Sequence, residues 1–388
     1  MKPILINAID RSTKRISFFH HKNNFAKLAH KLGKEFEARA VENDNTDSFV
    51  YENYEDLKKF RVFSAMVPRE LGGGGVSHSQ MANFLRIIGS YDGSTGLALS
   101  MHQHLIAATV WKYLNGKGGE ALLTKVVDQQ LVLVSTGARD WLESNGELVK
   151  VEGGYELTAN KVFASQSAVG DIFITSARYC DPEEGDLVLH FPVAVSSKGV
   201  SVSNNWKTLG MRATGSNTVH MDKVFVPDAA IGMKRKQGEL NQGWNVVLTV
   251  AMPLIMSVYV GIAEKAAQMA IDKSKAGSSR KDQLPYTLGE MHNQLTLTQV
   301  LHKDMVAIAN DLDFSPNHGM GNDILTRKTL VANSAINTVT KAMEIVGGQS
   351  FFRVFGLERL FRDIQAANFH PLPEKEQQRF SANFILNE

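Results

Sequence analysis

The spacing of apolar residues changes twice along this chain of 388 residues, and these changes constrain the fold more than any other feature. Up to about residue 130, apolar side chains recur with the period of a helix, as in the series from Phe25 through Leu32 to Phe36. From Leu131 they alternate along short runs such as LVLVST and YELTAN, which is the pattern of half-buried strands. After Gly243 the helical period returns. The sequence therefore predicts a helical part, a β part and a second helical part.

This order predicts an α+β protein with several domains. We expect an N-terminal α-helical domain at residues 1–130, a middle antiparallel β-barrel or sandwich domain at 131–232, and a C-terminal four-helix bundle at 233–388. The Gly153-Gly154 pair between two alternating runs predicts a β-hairpin. The bundle helices are expected at about 245–276, 286–312, 322–346 and from 374 onward.

The most apolar stretch, Met252–Ala263, lies in the first of these bundle helices. It is shorter than the roughly 20 residues that cross a bilayer, and Pro253 stands near its start. We therefore expect a buried helix and no membrane partner. The N-terminal segment MKPILINAIDRSTKR lacks the apolar run of a signal peptide, so export is not expected.

Composition excludes several classes of protein. The chain has 42 Lys and Arg against 40 Asp and Glu, a net charge of +2, which is too balanced for a nucleic-acid-binding surface. A hydrophobic content of 43% and a charged content of 21% are typical of a folded globular protein. Cys180 is the only cysteine, so no intrachain disulfide is possible, and we expect a reducing, cytoplasmic location.

Three local patterns have ordinary explanations. The run Gly72–Gly75 lacks the Gly-Lys-Ser/Thr ending of a phosphate-binding loop and is typical of a turn. His102 and His104 lie two apart in a helical context, where their side chains diverge, so we expect no metal site. There is no G-x-S-x-G string to indicate a serine hydrolase.

Three other strings are more informative together: KVFASQ at 161–166, TLGMRATGS at 208–216 and EIVGGQSF at 344–351, the last followed by the pair Arg362-Asp363. Their order and spacing resemble the acyl-CoA dehydrogenase superfamily over nearly the whole chain. Members have an α domain, a middle β domain and a C-terminal four-helix bundle, with FAD between the last two. The resemblance implies a flavin-dependent oxidoreductase that assembles as a homodimer or homotetramer.

The resemblance also implies which residues contact the flavin ring. Ser135 and Thr136 match the end of the strand where the family hydrogen-bonds the isoalloxazine. Phe163 stands at the place of a tryptophan that flanks the ring, and Ser165 at the place of a serine or threonine. An aromatic side chain at that place covers the flavin and excludes water.

Three further residues match the family's contacts to the FAD pyrophosphate. Arg280 is similar to an arginine that reaches the pyrophosphate bound by a neighbouring subunit, a charge-assisted contact. Gly347 and Gly348 match a glycine pair that lets the backbone approach the same group.

The sequence departs from the family at the catalytic base. An acyl-CoA dehydrogenase needs a carboxylate that removes the α-proton of a thioester while hydride leaves for the flavin. Here His370 and Pro371 stand where the family has an aromatic residue and the glutamate, and Leu254 stands at the second family location. Glu374 and Glu376 follow within a few residues and are the remaining candidate bases.

The main interpretation is an FAD-dependent enzyme that oxidises an acyl-CoA or similar acyl substrate at its α,β carbons and passes electrons to a partner protein. In this interpretation Glu374 or Glu376 is the base. The flavin loop from Thr136 to Trp141 lacks the serine with which the family contacts CoA, so CoA binding is left open.

The alternative is a two-component flavin monooxygenase, a branch of the superfamily that carries a histidine at the place of His370. An imidazole with a pKa near 6.5 is suited to managing the proton of a flavin hydroperoxide. This interpretation implies FMN as a possible cofactor, a flavin reductase as partner, and an aromatic substrate bound among Trp141, Phe163 and Phe369. A third interpretation is a flavin-binding homologue without catalytic activity.

Overall fold

Helices form the first part of the chain, as the apolar period predicts. The computed structural model describes residues 22–137, 140, 142–277 and 284–387. Its first helices are α1 (Lys22–Thr46), α2 (Tyr51–Lys59), α3 (His78–Tyr91), α4 (Gly93–Leu114) and α5 (Glu120–Gln129). Ser77 and Gln80 form a capping box at the start of α3, and the Asp92 carboxylate accepts the N–H groups of Ser94 and Thr95 at the start of α4. Local side-chain hydrogen bonds therefore set where α3 and α4 begin.

An eight-stranded sheet follows these helices. Its strands are β1 (Leu133–Ser135), β2 (Glu147–Val151), β3 (Gly154–Ala164), β4 (Ile172–Asp181), β5 (Gly185–Ala194), β6 (Val200–Val202), β7 (Asn217–Pro227) and β8 (Met233–Lys236). Their order is β6-β7-β3-β2-β4-β5-β8, with β1 paired to β4. Strands β2 and β3 pair in antiparallel fashion with Val151 opposite Gly154, which confirms the predicted hairpin.

The sheet is mixed and not wholly antiparallel, which corrects that part of the expectation. Strand β1 runs parallel to β4, with Leu133 opposite Ile172, and β2 also meets β4 in parallel, at Glu147 and Arg178. Alternating apolar residues fix which face of a strand is buried, but they carry no information on the direction of its neighbour. The two parallel pairings were therefore not visible in the sequence pattern.

Helices return after the sheet: α6 (Gln242–Lys275), α7 (Leu284–Ala309), α8 (His318–Val346), α9 (Leu357–Ile364) and α10 (Glu374–Asn387). The four expected helices are present as α6, α7, α8 and α10, and the short α9 is additional. Helix α6 is long and apolar enough to cross a membrane by length and composition, but 94% of its most apolar window is buried inside the protein. Its position in the core explains its composition and confirms the prediction of a buried helix.

The helices before and after the sheet share one hydrophobic core. Phe25, Phe84 and Ile88 from the first part lie in the same buried cluster as Leu254 and Ile262 of α6. The sheet encloses a second, separate cluster. The two helical parts are thus one packed unit, although the sheet separates them in sequence, and the three domain limits stay predictions.

His102 ties α4 to the sheet through both of its ring nitrogens. Its Nδ1 accepts the Leu133 N–H at 3.0 Å, so the proton is on Nε2, which donates to the Phe63 carbonyl at 2.8 Å. These bonds fix the start of β1 against α4. They thereby place Ser135 and Thr136, at the end of β1, beside the helical core.

Close approach of α3 and α6 requires glycine at position 261. A Cβ at Gly261 would lie 2.0 Å from the Arg86 carbonyl oxygen of α3. We expect Gly261→Ala to lower the free energy of unfolding by about 1–3 kcal/mol, because a backbone atom cannot move aside cheaply. Denaturant unfolding measures this change.

The matched control is Gly289→Ala on the exposed side of α7, where a Cβ would meet nothing within 4 Å. It should be neutral or stabilise by about 0.5–1 kcal/mol, because alanine is a better helix former. An equal effect of the two substitutions would contradict the close-packing account.

Candidate functional site

A cavity of about 510 Å³ lies between the sheet and helices α4 and α6. Its wall is mainly apolar and includes Met101, Leu105, Trp206, Trp244, Leu248 and Ile255. The loop at 206–211 and the segment at 362–371 close the remaining sides. A mainly apolar cavity with a few polar groups is typical of a small-molecule site.

The structure brings together in this cavity the four residues predicted to contact the flavin ring: Ser135, Thr136, Phe163 and Ser165. The Thr136 hydroxyl donates to the Thr175 hydroxyl at 2.7 Å, and the Ser165 hydroxyl lies 2.8 Å from that of Ser216. The Phe163 ring is 45% exposed and meets Trp206 edge-on, with ring centroids 5.9 Å apart. One wall of the cavity thus combines hydroxyl groups with an accessible aromatic face.

The predicted pyrophosphate contacts are not part of this cavity. Arg280 lies outside the described residues, as do Arg139 and Trp141 of the flavin loop. Gly347 and Gly348 end α8 away from the cavity wall, and a Cβ at either position would meet no heavy atom within 4 Å. Contact of these residues with a pyrophosphate stays a prediction.

Neither of the two candidate glutamates lines the cavity. Glu374 begins α10, where its carboxylate accepts from Gln378 at 2.8 Å and from Asn333 at 3.4 Å. Glu376 is exposed on the same helix. The turn after His370 therefore leads into a helix that carries both carboxylates away from the cavity, contrary to the arrangement that the dehydrogenase interpretation needs.

His370 does line the cavity. Its Nε2 lies 2.5 Å from the Tyr259 hydroxyl, and its carbonyl accepts from the Lys328 ammonium at 2.8 Å. Burial is the main cause that lowers the pKa of His370 to about 3, and the nearby Lys328 ammonium and His104 ring add to it. The imidazole is therefore neutral at physiological pH.

Two further histidines in the cavity wall were not assigned to the site from the sequence. Nδ1 of His104, on α4, lies 3.2 Å from the Ser100 carbonyl oxygen, and burial lowers the pKa of His104 to about 4. His190 of β5 accepts from the Arg235 guanidinium at 3.1 Å, and burial and that charge lower its pKa to about 3. Because His102 and His104 are two residues apart on a helix, their side chains point in different directions: His102 ties α4 to β1, and His104 lines the cavity. No sequence pattern indicated His190.

The charged side chains in the described cavity wall are paired within the chain. Asp140 forms a 2.5 Å ion pair with Lys161, and both side chains are almost fully buried. Lys161 also donates to the carbonyls of Asn145 and Ser176. On the opposite side, Arg362 binds the carboxylates of Asp44 and Glu358, each at 2.6 Å. Because the three histidines are neutral as well, every charged side chain in the described wall has a partner of opposite charge.

The Arg362-Asp363 pair holds the cavity loop in place. The Asp363 carboxylate accepts the Met211 N–H at 2.6 Å, and Arg362 donates to the Leu209 carbonyl at 3.0 Å. A Cβ at Gly210 would lie 2.2 Å from the Arg362 carbonyl oxygen, so glycine is needed there. The string at 208–216 thus meets α9 directly.

Two family models match the chain. The model described as acyl-CoA dehydrogenase, N-terminal domain, matches residues 21–130, and the one described as acyl-CoA dehydrogenase, C-terminal domain, matches residues 254–374. Together they span more than half of the chain.

Curated relatives carry more than one activity. YdbM of Bacillus subtilis, an acyl-CoA dehydrogenase by name, is 24% identical over 88% of this chain and 91% of its own. The amino sugar nitrososynthase RubN8 of Streptomyces rubradiris is 26% identical over 86% of this chain and 82% of its own. Dibenzothiophene monooxygenase of Mycolicibacterium goodii is 24% identical over 93% of both.

Solved structures share the fold. KijD3, crystallised with FMN and a dTDP-linked amino sugar, superposes with a TM-score of 0.84 at 23% identity and covers 94% of each chain. TdsC of Paenibacillus sp. A11-2, crystallised with FMN and indole, superposes with a TM-score of 0.81 at 19% identity, over 94% of this chain and 97% of its own. At these identities the likeness establishes the fold.

The neutral buried histidines predict that stability falls as the pH is lowered from 7 to 5. Burial lowers the pKa of His102, His104 and His302 to about 4 and of His190 and His370 to about 3. In the unfolded chain these rings titrate near 6.5, so the unfolded state binds more protons and gains stability below that pH. Asp363 partly offsets this loss of stability. Burial raises its pKa to about 6, so below that pH the folded state binds one proton that the unfolded state does not yet bind.

Urea unfolding at pH 7, 6 and 5 measures the slope. His302→Gln keeps an N–H donor for the Pro253 carbonyl that His302 contacts at 3.0 Å, and it should flatten the slope by about 1.4 kcal/mol per pH unit at most. Stability that stays constant or rises on acidification would contradict the neutral state of these rings.

Proposed function

Because this chain belongs to the acyl-CoA dehydrogenase superfamily, we propose that it is a flavin-dependent monooxygenase and not an acyl-CoA-oxidising enzyme. The observation that carries the proposal is the identity of the titratable groups in the cavity. The described wall contains one carboxylate, Asp140, which is held by Lys161, whereas the neutral imidazole of His370 is open to the cavity. Removal of an α-proton needs a free carboxylate within reach, and oxygen transfer does not.

The cavity wall fits a flavin ring. The hydroxyls of Ser135, Thr136 and Ser165 offer hydrogen bonds along one wall, and the exposed face of Phe163 offers a flat apolar surface. A reduced flavin bound there supplies electrons to O₂, so that one oxygen atom enters the substrate and the other leaves as water. FMN is the proposed form, and the FMN-containing structures of KijD3 and TdsC support it.

Delivery of reduced flavin implies a partner. Electrons must reach the site before oxygen does, so we propose that a separate flavin reductase supplies them. The contact predicted for Arg280 across subunits stays part of this proposal, with the single phosphate of FMN in the place of the FAD pyrophosphate. A homodimer or homotetramer in the cytoplasm also stays part of it.

The electrostatics of the cavity favour a neutral, apolar substrate. A nucleotide sugar carries a diphosphate, which binds best to unpaired arginine or lysine. In the described wall Arg362 is the lone Lys or Arg side chain, and Asp44 and Glu358 already neutralise it. An aromatic heterocycle with an oxidisable sulfur, nitrogen or carbon fits the apolar and methionine-rich wall better.

Oxygen incorporation tests the proposal. The protein, supplied with FMN, a reductase, NADH and ¹⁸O₂, should place ¹⁸O in a neutral aromatic heterocycle such as indole. His370→Asn should keep flavin bound but lower product formation by about a hundredfold or more, with hydrogen peroxide formed instead. The product is quantified by mass spectrometry and the peroxide by a peroxidase assay.

Glu376→Gln is the matched control, because Glu376 is exposed outside the cavity, and it should leave the rate unchanged. A thymidine diphosphate sugar added at equal concentration should not compete. An active His370→Asn variant together with an inactive Glu376→Gln variant would overturn the proposal.

A further inference from the structure

Tyr259 connects the centre of the helical core to the cavity without lining it. Its side chain on α6 is fully buried, and its hydroxyl lies 2.5 Å from Nε2 of His370, a residue 111 positions further along the chain. The cavity wall includes His370 but not Tyr259. Any influence of Tyr259 on a bound molecule therefore passes through the imidazole.

The direction of this hydrogen bond follows from burial. Among the described residues, Nε2 of His370 is the hydrogen-bonding partner of the Tyr259 hydroxyl. If Nε2 carried the proton and donated it, the phenol hydrogen would be left in a dry core without an acceptor, which is costly. Burial also raises the pKa of Tyr259 well above its ordinary value, so the phenol keeps its proton. The phenol therefore donates, and Nε2 accepts.

Lys328 fixes the backbone at the same residue. Its ammonium is almost fully buried and donates to the carbonyls of His370 and Leu372, each at 2.8 Å. Ring and backbone of His370 are thus held from two helices, by Tyr259 of α6 and Lys328 of α8. A ring fixed in this way has one nitrogen left, Nδ1, and a neutral imidazole must carry its proton there.

We propose that Tyr259 is a positioning residue that holds His370 as the tautomer protonated on Nδ1, so that His370 presents an N–H donor to the cavity. The inference about the tautomer stands on this geometry alone, whereas its value for catalysis rests on the proposed oxygen transfer. Lys328 and His104 face His370 and disfavour an imidazolium, Asp363 faces Tyr259, and Glu374 acts on Lys328. His370 then acts by donating a hydrogen bond to an oxygen atom, and not by removing a proton from the substrate.

The tautomer is measured directly by NMR. The full-length, FMN-loaded protein is labelled with ¹⁵N-histidine, and the His370 signals are assigned by their loss in His370→Asn. We expect a protonated Nδ1 and an unprotonated Nε2 in the unmodified protein. The opposite assignment would overturn the proposal, whatever the protein's activity.

Two matched substitutions test the role of the phenol. Tyr259→Phe removes the donor at nearly unchanged volume, and the His370 signals should move towards a mixture of tautomers. Tyr54→Phe removes another fully buried phenol, which bonds Gln166 outside the cavity wall, and the His370 signals should stay in place. Unchanged signals in Tyr259→Phe would show that the phenol does not set the tautomer.

The effect of Tyr259 on catalysis is measured in a separate experiment. In the coupled assay, Tyr259→Phe should lower the ratio of product to oxygen consumed about tenfold, with the substrate KM within about twofold of the original. A shifted tautomer with an unchanged ratio would overturn the catalytic role and leave the positioning intact. If the unmodified protein oxygenates no substrate, the proposed function fails, and the NMR result on Tyr259 stands independently.

Discussion

Helix α6 runs through the centre of the helical core, and every residue from Met252 to Ala263 is buried. Helices before the sheet and helices after it both pack against α6, which makes one core from two distant parts of the chain. Contact with α3 is close enough that Gly261 has no room for a side chain. This packing also places the start of α6, with Trp244 and Leu248, against the cavity. The site therefore depends on the burial of one helix.

Charge neutralisation is the second property that the fold gives to the cavity. Asp140 and Arg362 lie in its wall, but each has its counter-charge on another element. The three histidines in the wall stay neutral because burial disfavours their charged forms. A mainly apolar wall with paired charges favours reactive oxygen chemistry, and its described residues include no free carboxylate of the kind that a dehydrogenase needs. The same physical state accounts for the proposed reaction and the proposed substrate class.

Features set by local sequence were predictable. The order of helices and strands, the β2–β3 hairpin and the buried α6 follow from apolar period and turn residues alone. The resemblance to a family predicted that Ser135, Phe163 and Ser165 lie together. These residues stand at or next to the ends of β1 and β3, and the structure places both strand ends at the cavity.

Features set by tertiary contact were not predictable. The parallel pairing of β1 with β4 depends on the crossover connection between them, which contains β2 and β3, and the alternation of apolar residues does not indicate it. The hydrogen bond between Tyr259 and His370 joins residues that are far apart in sequence, and no pattern near either residue predicts it. Glu374 was a candidate base because of its closeness to His370 in sequence, but the start of α10 turns it towards Asn333. Chemistry in the cavity is decided by such long-range placements.

The most direct test of the central claim is an anaerobic titration of the FMN-loaded protein with acyl-CoA thioesters of several chain lengths, followed by the visible absorbance of the oxidised flavin. We predict no loss of absorbance with any thioester, because no free carboxylate in the described cavity wall can remove the α-proton. Bleaching by any acyl-CoA would contradict the monooxygenase account and would show that α,β-dehydrogenation takes place at this site.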